Sequence, residues 1–213
     1  MKLNSVIFAD NSASCEIADL FVMLKNSTEQ LLEQFASSHE IEMSSNTYLS
    51  DSITKQTLSE KMALVNNDHF MCFWFGHGGK DSFMMDGADV VTTTENYYVF
   101  TNAVIYTFSC FNGNDLADAV IINNGKVFVG YTGHAHCPYG IDDVTCDIAM
   151  SFVTSFLRGK SISNAVEDLR TSYEDAIFND ELEPFQRSRF QENRDGIVLK
   201  GDGALTINDL LVA

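Results

Sequence analysis

The sequence predicts an α/β protein with three layers, in which helices cover both faces of a mostly parallel central sheet. Short apolar runs rich in β-branched and aromatic residues alternate with longer segments whose apolar residues recur every three or four positions. Two of these runs, His69 to Phe75 and Ala103 to Ser109, are almost continuously apolar, as is typical of central strands buried on both faces. Strands that alternate with helices pair in parallel, so both observations favour the same fold class.

The first half of the chain begins with a strand and a helix. Ser5 to Asp10 is the first predicted strand, and the segment after it has the spacing of an amphipathic helix. The apolar positions of that helix are Ile17, Leu20, Phe21, Leu24, Leu31, Leu32 and Phe35. A weak strand around Glu40 to Met43 precedes a second helix, which begins at about Ser52. The apolar positions of the second helix are Leu58, Met62 and Val65.

The segments around the two buried runs predict a hairpin, a helix and a strand. Between the runs, Ser82 to Val91 predicts a small hairpin, because Asp86-Gly87 favours a tight turn. After the second run, Asp115 to Gly125 predicts a helix that ends at a glycine. Lys126 to Tyr131 then predicts another strand.

The last third of the chain is predicted to be mainly helical. Two helices are expected over about Val144 to Arg158 and Ile162 to Phe178. The acidic stretch from Glu174 to Phe185 predicts a solvated helix end and a loop. The segment from Gly196 onward predicts a closing strand, a Gly-Asp-Gly turn and a return.

The composition is that of one well-packed domain. The chain has 213 residues, 45% of them hydrophobic, and shows no internal repeat, so we expect a single domain over residues 1–213. No apolar run approaches the roughly 18 residues of a membrane span. The stretch from Val6 to Ala9 is too short for a signal-peptide core. These observations predict a cytoplasmic protein.

Charge and cysteine content narrow the classes of partner. Thirteen basic residues against 30 acidic ones give a net charge of −17, which disfavours nucleic acid and membrane surfaces and favours basic peptides. The five cysteines are an odd number without a C-x-x-C pair, a pattern typical of reduced thiols in the cytosol. We expect no cofactor.

Two of the predicted central strands end in reactive side chains. His77 follows the first buried run within the sequence Gly-His-Gly-Gly, and Cys110 follows the second run. In a parallel sheet, the loops at the carboxyl ends of the strands line the binding crevice. If the two strands are neighbours, the imidazole and the thiol face each other across that edge of the sheet.

This pair has the chemistry of a cysteine nucleophile and its base. A thiol with a pKa near ~8.5 is mostly protonated at neutral pH, and a nearby histidine accepts the proton or stabilises the thiolate. The backbone amides of Gly78 and Cys110 form the predicted oxyanion hole, because glycine lets a substrate carbonyl approach the backbone. A single cysteine at a strand end is more often an inert core residue, so the prediction depends on both residues occurring together.

The motifs around this pair resemble those of caspase-like cysteine peptidases, which include caspases, metacaspases, gingipains, clostripain, separase and the bacterial CHAT peptidases. FWFGHGG resembles the histidine motif of this group, and YTFSCFNG resembles its cysteine motif. Three later segments are similar to CHAT and gingipain-like members: DLADAVIINNGKVFVGYTG, FLRGKSISNAVEDL and LKGDGALTI. The resemblance covers about His69 to Ile207 and is closest to the bacterial CHAT and gingipain-like peptidases.

The resemblance implies a caspase-like fold and endopeptidase activity. Cys110 would be the nucleophile and His77 the general base and acid. The resemblance also implies a bacterial protease that cleaves a partner protein, in a defence or cell-death system. Whether a partner protein, a ligand, calcium or self-cleavage activates it stays open at this point.

Substrate contacts are predicted on either side of the thiol. Phe108 stands two positions before Cys110, where metacaspases carry an aspartate, so a metacaspase-type pocket for basic residues is not implied. No arginine precedes Arg158, which argues against the arginine-lined pocket through which caspases select aspartate. The carboxylates that could receive a basic side chain are Asp115, Asp142 and Asp143. Each is explained equally well as a helix-start or solvated loop carboxylate.

A second group of potential ligand atoms lies in the loop after the strand that ends at Tyr131. His134, His136 and Cys137 offer two imidazoles and a thiol, but no fourth ligand stands at a confirming spacing. The sequence therefore predicts a loop beside the crevice here and no metal site.

Two alternatives to a peptidase stay open. An α/β-hydrolase needs glycines two positions before and after its nucleophile, where Phe108 and Asn112 stand, so this class is disfavoured. A caspase-like scaffold without activity is harder to exclude, since the sequence does not show that Cys110 and His77 reach each other. Their joint presence argues against it, because a scaffold needs neither.

Overall fold

The computed structural model describes residues 1–63 and 68–211 and has a six-stranded sheet at its centre. In spatial order, the strands are β2 (Glu42–Leu49), β1 (Lys2–Ala9), β3 (Phe70–Phe75), β7 (Ala103–Phe108), β8 (Val127–Tyr131) and β9 (Ile197–Gly201). Strand β9 pairs antiparallel with β8, and all other neighbours in this sheet pair in parallel. The predicted α/β fold with a mostly parallel sheet is confirmed.

Helices cover both faces of this sheet and complete the three layers. The helices are α1 (Ala18–His39), α2 (Lys55–Met62), α3 (Asp115–Ile122), α4 (Asp142–Leu157), α5 (Ile162–Ile177) and α6 (Pro184–Gly196). On one face α1 packs on α4, α4 on α5 and α5 on α6. The other face is covered by α2, α3 and a small second sheet. Among the described helices, none combines the length and the apolar character that a membrane span requires.

The buried residues of each central strand divide between two apolar clusters, one on each face of the sheet. In β3, Phe73 and Phe75 belong to the cluster under α1 and α4, whereas Cys72 and Trp74 belong to the opposite cluster. Successive side chains of a strand point to opposite faces, so a strand covered on both faces is apolar at every position. Burial of each large apolar side chain stabilises the fold by about 1.5–3 kcal/mol. The continuous apolar runs of the sequence therefore mark the centre of the sheet.

A small antiparallel sheet follows β3 directly and fixes the segment that carries the histidine. Its strands are β4 (His77–Gly78), β5 (Ser82–Met85) and β6 (Ala88–Thr92). His77 pairs with Met84. Asp86 and Gly87 form the turn between β5 and β6 with φ angles of 48° and 72°, the left-handed values that such a turn requires. The predicted hairpin is confirmed.

Strand β2 and helix α2 differ in extent from the sequence-based expectation. The predicted weak strand around Glu40 to Met43 is a strand of eight residues that begins at Glu42. Its polar sequence hides it, because an edge strand needs only backbone pairing and does not have to be apolar. Helix α2 begins at Lys55, because Thr54 and not Ser52 caps it by accepting a hydrogen bond from the Thr57 N–H. Val65 lies outside the described residues.

Helix α6 was not predicted, because its sequence is strongly charged and has little apolar periodicity. The expected helix end and loop from Glu174 to Phe185 stop at Pro184, which occupies the first turn of α6. The side chain of Gln186 accepts a hydrogen bond from the Glu183 N–H (3.0 Å) and caps the helix. After β9 the chain turns through a Gly-Asp-Gly segment as predicted and then forms a short 3₁₀ turn, Ile207–Leu210.

Candidate active site

His77 and Cys110 follow neighbouring strands at the same edge of the sheet. Strands β3 and β7 pair in parallel, with Phe75 opposite Phe108, and each reactive residue comes two positions later. Neighbouring strands lie about 4.8 Å apart, so the two chain segments leave the sheet side by side. The strand arrangement that the sequence left open is the one that brings the histidine and cysteine segments together.

Both side chains lie on the face of the sheet that α1 and α4 cover. The His77 ring meets the ring of Phe21 in α1 edge-on, at a centroid distance of 5.9 Å and an angle of 86°. Cys110 is half-buried and packs against the apolar cluster under the same helices. A common face is a requirement for proton exchange between the two side chains.

Gly78 places the histidine segment directly against the backbone of the cysteine segment. A Cβ atom at position 78 would lie 2.8 Å from the Cys110 carbonyl oxygen and would also collide with the Ser109 hydroxyl. A carbonyl oxygen cannot move away without moving the nucleophile. Only glycine allows this approach, and the use of the Gly78 amide in an oxyanion hole stays a prediction.

The environment of the Cys110 thiol disfavours its thiolate form. Burial raises the pKa of the Cys110 thiol, and a hydrogen bond from the Ala135 backbone N–H offsets part of that rise. A thiol with a raised pKa is a poor nucleophile until a base removes its proton. The environment of Cys110 therefore calls for the kind of base that His77 would provide.

The turn after Cys110 is held in an uncommon conformation. Phe111 has a φ angle of 60°, in the left-handed region that costs a bulky residue on the order of 1 kcal/mol or more. Its N–H donates to the Gly133 carbonyl (2.8 Å), and the Gly113 N–H donates to the Tyr131 carbonyl (2.9 Å). These bonds attach the turn to the end of β8 and fix where the thiol points.

Two buried polar side chains flank the thiol and were missed by sequence reasoning. Ser109 and Asn112 are 1% and 0% exposed. The Asn112 amide donates to the Thr107 hydroxyl (3.1 Å), whereas its carbonyl oxygen and the Ser109 hydroxyl have no partner among the described residues. Their position on either side of Cys110 in the motif was the only signal in the sequence.

Asp10 and Cys15 also lie at this edge and were missed. Strand β1 is the parallel neighbour of β3, and the Asp10 N–H donates to the Phe75 carbonyl at its end (2.8 Å). One ligand atom each of Asp10, Cys15 and His77 lies within 4.8 Å of the others. The strand-end rule that identified His77 also applies to the strand that ends at Asp10, so this residue could have been identified from the sequence.

Phe108 does not occupy the place predicted for it. Its side chain is 0% exposed and packs edge-on against Tyr131, at a centroid distance of 5.7 Å. Position 108 is the last residue of β7, so its side chain points into the core and not toward the crevice. A substrate cannot touch it in this conformation, which corrects the prediction of a substrate contact.

The three aspartates predicted to contact substrate lie at helix N-termini. Asp115 begins α3 and Asp143 lies in the first turn of α4, and both are exposed. Asp142 is half-buried and accepts a hydrogen bond from the Cys137 thiol (3.2 Å). All three positions suit the helix dipole, so their roles in substrate binding stay predictions.

The segment that contains His134, His136 and Cys137 is held in place by side-chain contacts with other parts of the fold. The His136 ring contacts Glu192 (2.7 Å), and its backbone N–H and carbonyl bond to the buried Asn193 side chain (2.7 and 2.8 Å). Burial and the Asp142 carboxylate raise the pKa of Cys137 to about 12. In the described part of the chain, this segment does not bring three ligand atoms together as the Asp10 group does.

Comparison with known proteins supports the fold. No family model and no curated protein matches the sequence. Among solved structures, the chain is similar to gingipain R, an Arg-specific cysteine proteinase, with a TM-score of 0.63 and 12% identity. The match covers 96% of this chain and 47% of that protein, so the chain spans less than half of its length. At this identity the likeness shows the fold and does not single out CHAT peptidases. The chain has a caspase-like three-layer α/β fold, similar to that of a cysteine proteinase.

Proposed function

We propose that this protein is a cysteine endopeptidase in which Cys110 is the nucleophile and His77 the general base and acid. The observation that supports this most strongly is the register of β3 and β7, which sets the two residues side by side on one face of the sheet. The tight approach of Gly78 to the Cys110 carbonyl supports it independently.

The reaction proceeds through a thioester. His77 removes the thiol proton, and the sulfur attacks the carbonyl carbon of the scissile peptide bond. The amides of Gly78 and Cys110 hold the oxyanion; loss of one such donor typically costs on the order of 100-fold in rate. The tetrahedral intermediate breaks the C–N bond while His77 returns the proton to the leaving amine. Water, deprotonated by His77, then hydrolyses the thioester and frees the thiol.

The substrate is proposed to carry a basic residue before the scissile bond. The net charge of −17 attracts basic peptides, and the exposed Asp115 and Asp143 lie at helix starts near the carboxyl ends of β7 and β8. Gingipain R, which has a similar fold, is Arg-specific. Cleavage of one partner protein in the cytoplasm, in a bacterial defence or cell-death system, is proposed from the motif resemblance alone.

Profiling the purified protein against a library of peptides tests this proposal. We expect cleavage after lysine or arginine, and we expect Cys110→Ala to lower the rate by at least about 1,000-fold. Cys137→Ser is the matched control, because it removes another half-buried thiol and should leave the rate unchanged. Cleavage by Cys110→Ala at the rate of the unmodified protein would refute the mechanism.

A second measurement separates the peptidase from an inactive scaffold. A peptide carrying a thiol-alkylating group should label Cys110, and His77→Ala should slow that labelling, as mass spectrometry of the adduct would show. A scaffold would show no selective labelling, or labelling that His77→Ala does not change. Hydrolysis of a simple ester without any cleavage of peptides would favour the α/β-hydrolase alternative.

A further inference from the structure

A compact group of three potential metal ligands lies beside the proposed catalytic pair. It consists of Asp10, Cys15 and His77, with one ligand atom of each within 4.8 Å of the others. The residues come from the end of β1, the loop that leads into α1, and β4. Within residues 1–63 and 68–211, no other group of three or more His, Cys, Asp or Glu side chains converges in this way.

Asp10 is a buried carboxylate that makes no ion pair among the described residues, and its nearest named basic group is the His77 imidazole, within 4.8 Å. Its side chain is 0% exposed, and the ion pairs found among the described residues do not include it. Its two oxygens accept hydrogen bonds from the N–H groups of Ser12 and Asp86 (both 3.0 Å), which fix its orientation but carry no full charge. Buried carboxylates are normally paired with a cation or bound to a metal. A buried carboxylate that converges with an imidazole and a thiol has the ligand atoms that a metal ion needs.

We propose that Asp10, Cys15 and His77 form a zinc site that takes His77 away from Cys110. A carboxylate, a thiolate and an imidazole are all zinc ligands, whereas calcium and magnesium are bound through oxygen. Zinc bonds of about 2.0–2.3 Å in a tetrahedron separate the ligand atoms by about 3.3–3.7 Å. From a spread of up to 4.8 Å, the side chains need to approach by roughly 1 Å. The fourth position stays open to water.

The charges of this site balance when the ion binds. The Cys15 thiol gives its proton to solvent and forms the Zn–S bond, so a thiolate and a carboxylate together neutralise the two positive charges. The His77 imidazole binds as a neutral ligand through a nitrogen lone pair. Cys15 is 8% exposed, and the negatively charged protein surface raises the local concentration of cations.

The consequence for catalysis rests on the proposed function. When one His77 nitrogen is bound to zinc through its lone pair, the other nitrogen carries the ring proton, so the ring cannot accept the proton of Cys110. Because Cys110 is not among the three ligands, its thiol stays protonated and weakly nucleophilic. Zinc would therefore inhibit the enzyme reversibly, and a chelator would restore it.

Metal binding is tested first, without reference to activity. Metal-free protein is titrated with Co²⁺, whose bond to a thiolate gives an intense near-ultraviolet band, and with Zn²⁺ in competition with a chromogenic chelator. We expect one ion per chain with the thiolate band. Cys15→Ser should weaken zinc binding by more than about 100-fold, beyond the loss seen when only an outer contact is removed. Cys110→Ala and the control Cys137→Ser should bind as the unmodified protein does.

Three results of this titration would overturn the proposal. They are the absence of a thiolate band, binding that Cys15→Ser leaves unchanged, and loss of binding in Cys110→Ala, which would place the ion on the catalytic pair instead. Circular dichroism of Cys15→Ser checks that its fold is intact. As a second readout, the NMR signal of the His77 ring should shift when zinc is added to the metal-free protein, because a ring nitrogen then binds the ion. A His77 signal that zinc leaves unchanged would also contradict the proposal.

Inhibition is tested with the peptide that the library identifies. Zinc should inhibit the unmodified protein and not Cys15→Ser, when each rate is compared with the rate of the same protein without zinc. Equal inhibition of both proteins would refute the regulatory role. If the protein cleaves no peptide at all, the proposed function fails, while the cobalt spectrum and the NMR signal of His77 still decide the zinc site.

Discussion

Two groups of histidine and cysteine lie at the same edge of the sheet and have opposite environments. In the loop after β8, the His136 ring contacts Glu192 and the Cys137 thiol donates to Asp142. At the ends of β3 and β7, His77 makes no ion pair within 4.0 Å among the described residues, although Asp10 lies within 4.8 Å, and the Cys110 thiol accepts a hydrogen bond from the Ala135 backbone N–H.

The difference shows how a structural group can be told from a reactive one. A histidine and a thiol that are bound to carboxylates are committed to holding a loop, because breaking those bonds costs stability. A pair without such partners can exchange protons with a substrate or bind an ion. Sequence spacing alone makes both groups candidates for a reactive site, and the contacts in the structure show which of them is structural.

Gly78→Ala should produce the largest change. The added Cβ would force the Cys110 carbonyl to move, and a misplacement of about 1 Å typically costs on the order of 100-fold in rate. The rate of peptide cleavage and the rate of Cys110 labelling both measure the effect. Gly133→Ala is the matched control in the other loop, where a Cβ would meet no atom within 4 Å. Equal activity of the two variants would remove Gly78 from the proposed site.

Asn193→Ala should act on stability and not on chemistry. The Asn193 side chain is fully buried and bonds to both backbone groups of His136, so its loss leaves them unsatisfied. We expect the free energy of unfolding, measured by urea denaturation, to fall by about 2–3 kcal/mol. The exposed Gln191 on the same helix gives the control Gln191→Ala, with little change expected. A decrease in the free energy of unfolding below about 0.5 kcal/mol would show that Asn193 does not stabilise this loop.

Asp142→Asn should give the smallest effect, a change in the reactivity of one thiol. Burial and the Asp142 carboxylate hold the pKa of Cys137 at about 12, so its thiolate is scarce at pH 8 and grows only as pH rises toward that value. Removing the negative charge should lower this pKa and raise the alkylation rate of Cys137 up to about tenfold. Cys110 in the same sample serves as the internal reference. An unchanged ratio of the two rates would show that Asp142 does not control Cys137.

Much of the fold could be predicted because its signals are local. The apolar runs of β3 and β7 reflect burial on both faces, and Asp86-Gly87 reflects the φ angles of one turn. Helix α6 and most of β2 were missed for the same reason. A charged helix that buries little, and an edge strand that pairs through its backbone, leave no strong pattern in the residues.

The side chains of the candidate site could be predicted only in part. His77, Gly78 and Cys110 were identified because strand ends in a parallel sheet share one edge. Phe108 was misplaced because it was taken from its distance along the chain, whereas the alternation of the strand turns its side chain into the core.

The sequence by itself determined the alternation of strands and helices and the two residues that could carry chemistry. Only the tertiary structure decided that β3 and β7 are neighbours in register and that Asp10 and Cys15 converge on His77. It also decided that the Asn193 side chain holds the backbone of His136 by a hydrogen bond. The physical reason is the range of the interactions. Periodicity and turn preferences act over a few residues, whereas strand order and side-chain convergence depend on contacts between segments far apart in the chain.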